Sequence, residues 1–358
     1  MDVYYNTNGN FWRRGRQTKK LTAFSIQKTF LWGNLKVHIP AVYTGRAGAI
    51  LDVCIKIPAE EMIAFLNKWS KGRRLSLRTQ EDYERMEADN PCCIDFESEM
   101  YFNDQPLQQG VRSSLMWYPK TVFELDKDDE ITPAARSTEF YDEDEDGEEI
   151  PTADEWQNDK DAEKLMTAYD CDRNFCWYFA RLFYEWDEEM ILSPKKVFLI
   201  LKAETKSVTT THFTTDFSCS DQKIKLTHPV TGEEYVLTLY ECKERKLPFS
   251  DFGEKGMCYP TCCQELSYGI SLEPECGLLD IRDCNEGDEP KREGVSDKVL
   301  SENCGATAFF VAGKTESSDK SVAFSSLHFE PVHEVHWRVV FQIKPREDAV
   351  VSFDCQKS

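Results

Sequence analysis

An acidic run, residues 141–149, contains the first half of a calcium-binding loop. Its alternate positions carry carboxylates, at Asp142, Asp144 and Asp146. Gly147 follows them and permits the sharp turn that brings such oxygens onto one ion. The second half departs from the pattern, because Glu149 stands at a normally apolar position and Ala153 replaces the bidentate Glu. Acidic runs often contain this spacing by composition alone, so the sequence predicts a solvated linker, with calcium as the alternative and no other cofactor.

The C-terminal half contains thiols and imidazoles, which are the ligand types that zinc prefers. The candidate ligands are Cys258, Cys262, Cys263, Cys276, Cys284, His333 and His336. No two cysteines have the C-x-x-C spacing of a zinc ribbon or finger. The two histidines fall on opposite faces if the strand around Val335 extends back to His333, because their separation is odd. The sequence therefore predicts buried reduced thiols and no zinc site.

Nucleophilic catalysis would need a cysteine or serine paired with a base. The histidines available as bases are His38, His212, His228, His328, His333 and His336. The stretch 280–288 also gathers carboxylates around Arg282, and paired carboxylates can hydrolyse glycosides. None of the sequence motifs of known catalytic sites is present. We interpret residues 280–288 as a loop of salt bridges, with a hydrolase site in the C-terminal domain as the alternative.

The net charge of −21 is concentrated in residues 121–191 and disfavours nucleic acids and anionic membranes as partners. Basic residues in the first 20 positions predict a solvated, flexible arm. That arm lacks the apolar core of a signal peptide, and no run of about 18 apolar residues could cross a bilayer. The sequence therefore predicts a cytoplasmic location and reduced cysteines.

The elements before the acidic run predict a β-rich domain over residues 21–123. Strand-like runs at 21–31, 35–43 and 49–57 are separated by turn signals. Pro58 then suits the first position of a helix. That helix has an apolar stripe of Met62, Phe65, Leu66 and Trp69, and we expect it to cover the domain. Further strands are predicted at 92–102 and 111–123.

Residues 124–171 are predicted to form an acidic linker or loop, and residues 172–194 an aromatic-rich helix. The apolar residues at helical spacing in this helix are Phe175, Cys176, Phe179, Leu182, Phe183 and Trp186. Such a face usually packs into a core or a domain interface. We therefore expect the helix to lie between two domains.

Residues 195–358 are predicted to form a C-terminal β-sandwich-like domain, because many short strands follow one another with regular turn signals. Residues 335–343 alternate between apolar and polar side chains, as in a half-buried strand. The predicted fold class is thus mainly β, a β-rich α+β chain. It has two β-sandwich-like domains, a few helices and one aromatic-rich helix between the domains.

Without a catalytic motif, the sequence favours a non-catalytic binding or assembly protein that engages a protein or a carbohydrate through β-sheet surfaces. The alternatives are a hydrolase with a Cys/His or carboxylate site in the C-terminal domain and a protein regulated by calcium through residues 142–147. A cysteine or carboxylate at hydrogen-bond distance from a histidine would favour the hydrolase. A flat, apolar, exposed sheet face would favour the binding protein. The sequence specifies neither the partner nor the oligomeric state.

Overall fold

A computed structural model describes residues 3, 20–46, 48–69, 79–124, 160–186, 194–247, 257–271, 279–292 and 320–357. Most of the predicted basic arm and the acidic run with Asp142, Asp144 and Asp146 lie outside these residues. Within them the chain is mostly β, as the sequence predicts. In the same ranges, no helix has the length and apolar character needed to cross a bilayer.

The described residues form nineteen strands and four helices. In chain order these are β1 (Thr22–Trp32), β2 (Leu35–Thr44), β3 (Gly48–Ile57), α1 (Ala59–Trp69), α2 (Gln80–Asp89), β4 (Phe96–Phe102), β5 (Gln105–Pro106), β6 (Gln108–Trp117), α3 (Lys120–Glu124), α4 (Lys160–Ala168), β7 (Cys176–Glu185), β8 (Lys196–Ala203), β9 (Lys206–Asp216), β10 (Gln222–Thr227), β11 (Glu234–Lys246), β12 (Met257–Cys258), β13 (Cys262–Ile270), β14 (Leu279–Asp283), β15 (Lys291–Arg292), β16 (Ser321–Phe324), β17 (Glu334–Ile343), β18 (Ala349–Asp354) and β19 (Gln356–Lys357).

The chain divides into two compact units. The first unit contains residues 1–77, 86–204 and 345–358, and the second contains residues 78–85 and 205–344. These boundaries differ from the predicted domains at both ends of the C-terminal half. β8 pairs with β4, and β18 pairs with β8, so both strands belong to the first unit. Such pairings join segments that are far apart in sequence, and they cannot be predicted from local sequence patterns.

The first unit contains a six-stranded sheet of order β19-β1-β2-β3-β7-β6 and a four-stranded sheet of order β18-β8-β4-β5, both antiparallel. The inner faces of both sheets contribute to one apolar core. Representative core residues are Trp32, Val37, Leu51, Phe96, Leu199 and Phe353. α1 adds Met62, Phe65 and Leu66 to this core, which confirms the predicted covering helix.

Residues 176–185 form the strand β7 rather than part of the predicted aromatic helix. β7 lies between β3 and β6, and both of its faces are buried. A strand buried on both faces has a continuous apolar run, which periodicity cannot distinguish from a buried helix. Its wealth of Phe, Tyr and Trp was the available signal for a strand.

The outer face of the six-stranded sheet is also covered. α4, which lies within the predicted acidic linker, packs Ala162, Leu165 and Met166 against the aromatic rings of β6 and β7. Val3, in the predicted flexible arm, is buried in a second outer cluster and accepts a backbone hydrogen bond from Leu21. Coverage on both faces explains why the central strands of this sheet are almost wholly apolar.

One ion pair interrupts that covered face. Asp52 and Arg181 are directly opposed on β3 and β7, and their side chains are 4% and 0% exposed. Arg181 donates from Nε to Oδ1 at 2.7 Å and from Nη2 to Oδ2 at 2.6 Å. Tyr169 donates its hydroxyl to Asp52, and its oxygen lies 3.0 Å from that of Tyr43. Burial raises the pKa of Tyr43 to about 12, and the charge of Asp52 adds to this effect.

The second unit contains a four-stranded sheet of order β10-β11-β13-β16 and a three-stranded sheet of order β14-β17-β9. A two-stranded ladder joins β12 to β15. The two larger sheets share an apolar core, to which β11 and β13 contribute from one side and β17 from the other. Trp337 is buried there and donates its indole N–H to Thr215 at 2.7 Å. The alternation along residues 335–343 predicted a half-buried strand. These residues do lie in the strand β17, one face of which packs into this core.

We expect Arg181→Met to lower the free energy of unfolding by about 3–5 kcal/mol, because Asp52 is then buried without its counter-charge. The double variant Asp52→Leu with Arg181→Met should recover most of this loss, since it buries no charge. Urea-induced unfolding measures both. The control, Lys202→Met, breaks the more exposed pair with Glu99 and should cost at most about 1 kcal/mol. If Arg181→Met were as stable as Lys202→Met, the buried ion pair would not be important for stability.

Candidate functional site

The outer face of the three-stranded sheet in the second unit carries charged and polar side chains. The register places Arg282, Arg338 and His212 beside one another on β14, β17 and β9. Their neighbours along the strands, including Ile281 and Trp337, point to the opposite face and into the apolar core. Strand alternation alone therefore aligns two guanidinium groups and one imidazole.

The first residues of α2 supply the counter-charge for this face. Glu84 accepts two hydrogen bonds from Arg338, at 2.5 and 3.0 Å, and one from Arg282 at 3.0 Å. The Arg338 side chain is only 3% exposed, and it also donates to Thr209 at 3.2 Å. Arg282 donates in turn to Asp280 at 3.0 Å. A buried guanidinium bound by both carboxylate oxygens holds this part of α2 on the sheet.

The electrostatics of Glu84 follow from this arrangement. Burial alone would raise the pKa of the Glu84 carboxyl. The hydrogen bond and positive charge of Arg338, together with the charge of Arg282, outweigh burial and lower the pKa. Glu84 is therefore ionised at neutral pH.

Glu81 lies one helical turn before Glu84 and faces a different set of groups. Its Oε2 atom is 2.8 Å from Nε2 of His212, and its Oε1 accepts a hydrogen bond from Arg85 at 2.5 Å. Cys284, just beyond β14, completes a cluster in which one donor atom from each of Glu81, His212 and Cys284 lies within 4.8 Å of the other two. All of these residues belong to the second unit.

The backbone fixes the position of Cys284. Its N–H donates to the carbonyl of His336 at 2.8 Å, which extends the β14–β17 pairing by one bond. The preceding Asp283 accepts from the backbone N–H groups of Asn285 and Ser326, both at 2.8 Å. Burial raises the pKa of the Cys284 thiol to about 11, against the opposing charge of Arg338. The thiol is therefore protonated at neutral pH and is not activated as a nucleophile.

The distances between the donor atoms of Glu81, His212 and Cys284 also distinguish a proton relay from a ligand site. In a Cys–His–Glu relay the imidazole stands between the thiol and the carboxylate, each bonded to a different ring nitrogen. That geometry separates thiol and carboxylate by more than the width of the ring. Here one donor atom from each of the three side chains lies within 4.8 Å of the other two, so the thiol and the carboxylate are closer than such a relay requires. Such an arrangement suits a shared ligand better than a proton relay.

Only one of the cysteines and histidines named from the sequence as zinc ligands joins this cluster, namely Cys284. Cys258 is exposed on β12, while Cys262 and Cys263 are buried on β13. His333 packs edge-on against Phe217. Nδ1 of His336 lies at hydrogen-bond distance, 2.9 Å, from the Thr214 hydroxyl. Cys276 and the three aspartates of the calcium hypothesis lie outside the described residues, so that hypothesis stays a prediction. The twelve cysteines that the structure describes are all free thiols.

His212 was named from the sequence only as a possible base, and Glu81 was not singled out. α2 is a charged helix, and the structure buries none of its residues fully. His212 lies in a threonine-rich strand without any motif around it. Residues 280–288 were predicted to form a loop of salt bridges. Asp280 does pair with Arg282, but residues 280–283 belong to the strand β14, and Asp288 accepts a hydrogen bond from the distant backbone N–H of Phe329.

A second group of donors lies in the first unit, at Glu87, Cys93 and Asp95. Both carboxylates are exposed, and the Cys93 thiol itself donates to Asp95 at 3.3 Å. This group contains no imidazole. It is therefore the weaker candidate for a ligand site.

The first unit also presents a different surface, on the outer face of its four-stranded sheet. The register pairs Val350 with Ile200 and Tyr101 with Phe198, all on the face opposite the core. Val350 is 59% exposed, and the other three are partly exposed. The rings of Tyr101 and Phe198 meet edge to face, 5.7 Å apart. We refer to these four residues as the apolar sheet face.

Comparison with protein-family models, with curated proteins and with solved structures found no match.

We expect Glu84→Gln to lower the free energy of unfolding by about 3–5 kcal/mol at neutral pH, because Arg338 stays buried without its counter-charge. The lowered pKa means that this contribution is complete above the unfolded value, about 4.3, and is lost as the pH falls through the folded value. The difference from wild type should therefore shrink below about pH 4.

Urea-induced unfolding at several pH values between about 3 and 7 tests this expectation. Glu244→Gln removes an exposed carboxylate from the same unit and serves as the matched control. If Glu84→Gln and Glu244→Gln had the same stability at neutral pH, Glu84 would not hold α2 on the sheet.

Proposed function

We propose that the protein is a non-catalytic binding or assembly protein whose apolar sheet face binds a protein partner. The observation that carries this proposal is the pairing of Val350 with Ile200 and of Tyr101 with Phe198 on a solvent-facing surface. The outer face of an antiparallel sheet is normally polar when the inner face packs on a core. Contiguous apolar side chains on an outer face are typical of interaction sites.

The surroundings of the apolar sheet face support a protein rather than a carbohydrate. Glu99 lies directly opposite Ile200, forms an ion pair with Lys202 and accepts a hydrogen bond from the Tyr101 hydroxyl, so charged groups border the apolar side chains. An apolar centre containing tyrosine, with charges at the rim, is the usual anatomy of a protein interface. Stacking on a sugar would require an open, flat ring surface, whereas Tyr101 and Phe198 pack edge to face.

We further propose that the protein acts in the cytoplasm and does not bind nucleic acid. Its twelve described cysteines are free thiols, which persist in reducing compartments. The net charge of −21 opposes association with phosphate backbones.

A second candidate function is a hydrolase in the second unit, as the sequence left open. The specific observation in its favour is the 2.8 Å contact between Glu81 and His212 beside Cys284. The raised pKa of Cys284 argues against cysteine nucleophilic catalysis there. The hydrolase hypothesis ranks below the binding function because neither Glu81, His212 nor Cys284 supplies an activated nucleophile.

Phe198→Asp tests the proposed function, since it places a charge in the centre of the apolar sheet face while leaving the inner core untouched. We expect a specific partner, captured by tagged wild-type protein from native lysate, to be lost at least tenfold with this variant, because removing a central interface residue costs about 2 kcal/mol or more. Quantitative mass spectrometry of the co-purified proteins measures the loss.

The matched control is Val230→Asp, at a side chain that is 70% exposed in a turn of the second unit. It should retain the partner. Circular dichroism of both variants checks that they fold. Identical sets of captured proteins for wild type, Phe198→Asp and Val230→Asp would contradict binding through the apolar sheet face.

A further inference from the structure

We infer that Glu81, His212 and Cys284 bind one divalent cation of the zinc class. These residues come from three separate elements, namely the first turn of α2, the strand β9 and the end of β14. Their donor atoms all lie within 4.8 Å of one another. The inference concerns the second unit only and goes beyond the proposed function, which concerns a face of the first unit.

The spacing of the donors is close to what a zinc ion requires. Tetrahedral zinc has bonds of about 2.0–2.3 Å, which places its ligand atoms about 3.3–3.8 Å apart. Glu81 and His212 are now 2.8 Å apart because they share a hydrogen bond. Replacing that proton by a cation requires their donor atoms to separate by roughly 1 Å or less.

Surrounding groups hold two of the three donors in place. Arg85 occupies Oε1 of Glu81 and leaves Oε2 directed at His212. The backbone bond from Cys284 to His336, together with the bonds that Asp283 accepts, fixes the turn that carries the thiol. Support of this kind orients the ligands in metal sites and contributes to their affinity.

The charges around the cluster do not oppose a cation. Each nearby guanidinium has a carboxylate partner: Arg85 with Glu81, Arg338 with Glu84, and Arg282 with Glu84 and Asp280. Asp283 adds a further negative charge next to Cys284. Loss of the Cys284 thiol proton on metal binding would add one more negative charge. The site with its cation would then be close to neutral.

The donor types select the class of metal. One thiolate, one imidazole and one carboxylate are all good zinc ligands, whereas calcium and magnesium bind oxygen almost alone. Copper(I) favours sets richer in sulfur. Three protein ligands leave the fourth position of a tetrahedral ion for water or for a group from outside the chain.

Calorimetric titration of the chelator-treated, reduced full-length protein with zinc tests this inference. We expect one site per chain, and we expect Cys284→Ser and His212→Gln each to weaken it by more than about 100-fold, since even changes beyond the ligands cost 10–100-fold. The matched controls are Cys258→Ser, an exposed thiol of the same unit, and His333→Gln, an exposed imidazole of the same unit. Both controls should bind as wild type does.

Cobalt(II) provides a readout that does not depend on the stability of any variant. Wild-type protein loaded with cobalt should show a thiolate-to-metal charge-transfer band and the strong visible bands of a tetrahedral ion. A spectrum without the thiolate band would overturn the inference, and so would zinc binding that Cys284→Ser leaves unchanged. Phe198→Asp should keep full zinc binding, so failure of the zinc site and failure of the proposed partner site are distinguishable.

Discussion

The buried contact between Arg338 and Glu84 is the interaction on which the geometry of the second unit's outer face depends. A guanidinium that is 3% exposed requires a counter-charge, because an unpaired buried charge is strongly destabilising. Glu84 supplies it from α2 and also binds Arg282. Residues three positions apart lie on the same side of a helix. Fixing Glu84 therefore places Glu81 against His212 and Cys284, so the candidate ligand cluster follows from a structural ion pair.

The first unit uses a similar buried arginine without creating such a cluster. Asp52 and Arg181 face each other across two central strands and are sealed by apolar side chains and two tyrosines. The carboxylate and the guanidinium neutralise each other, and their side chains are 4% and 0% exposed. In the second unit, by contrast, the His212 side chain is 53% exposed beside Glu81. The same principle thus gives a stabilising pair in one unit and an accessible set of donors in the other.

The sequence predicted those features that depend on local pattern. The β-rich class, the apolar stripe of α1 and the alternation along β17 all follow from periodicity within one element. β7 was mistaken for a helix because burial on both faces removes the alternation of a strand. The site itself could not be predicted, since Glu81 and His212 are separated by 131 residues and meet only through the docking of α2 on the sheet. Cys284 was named from the sequence as a candidate ligand, but Glu81 and His212 were not.

The central claim is that one carboxylate, one imidazole and one thiolate bind the same ion. X-ray absorption at the zinc edge of the zinc-loaded protein addresses it most directly, because sulfur scatters differently from nitrogen and oxygen. The account predicts one sulfur at about 2.3 Å and two or three nitrogen or oxygen atoms at about 2.0 Å. A first shell without sulfur, or one with several sulfurs, would contradict the assignment of Glu81, His212 and Cys284.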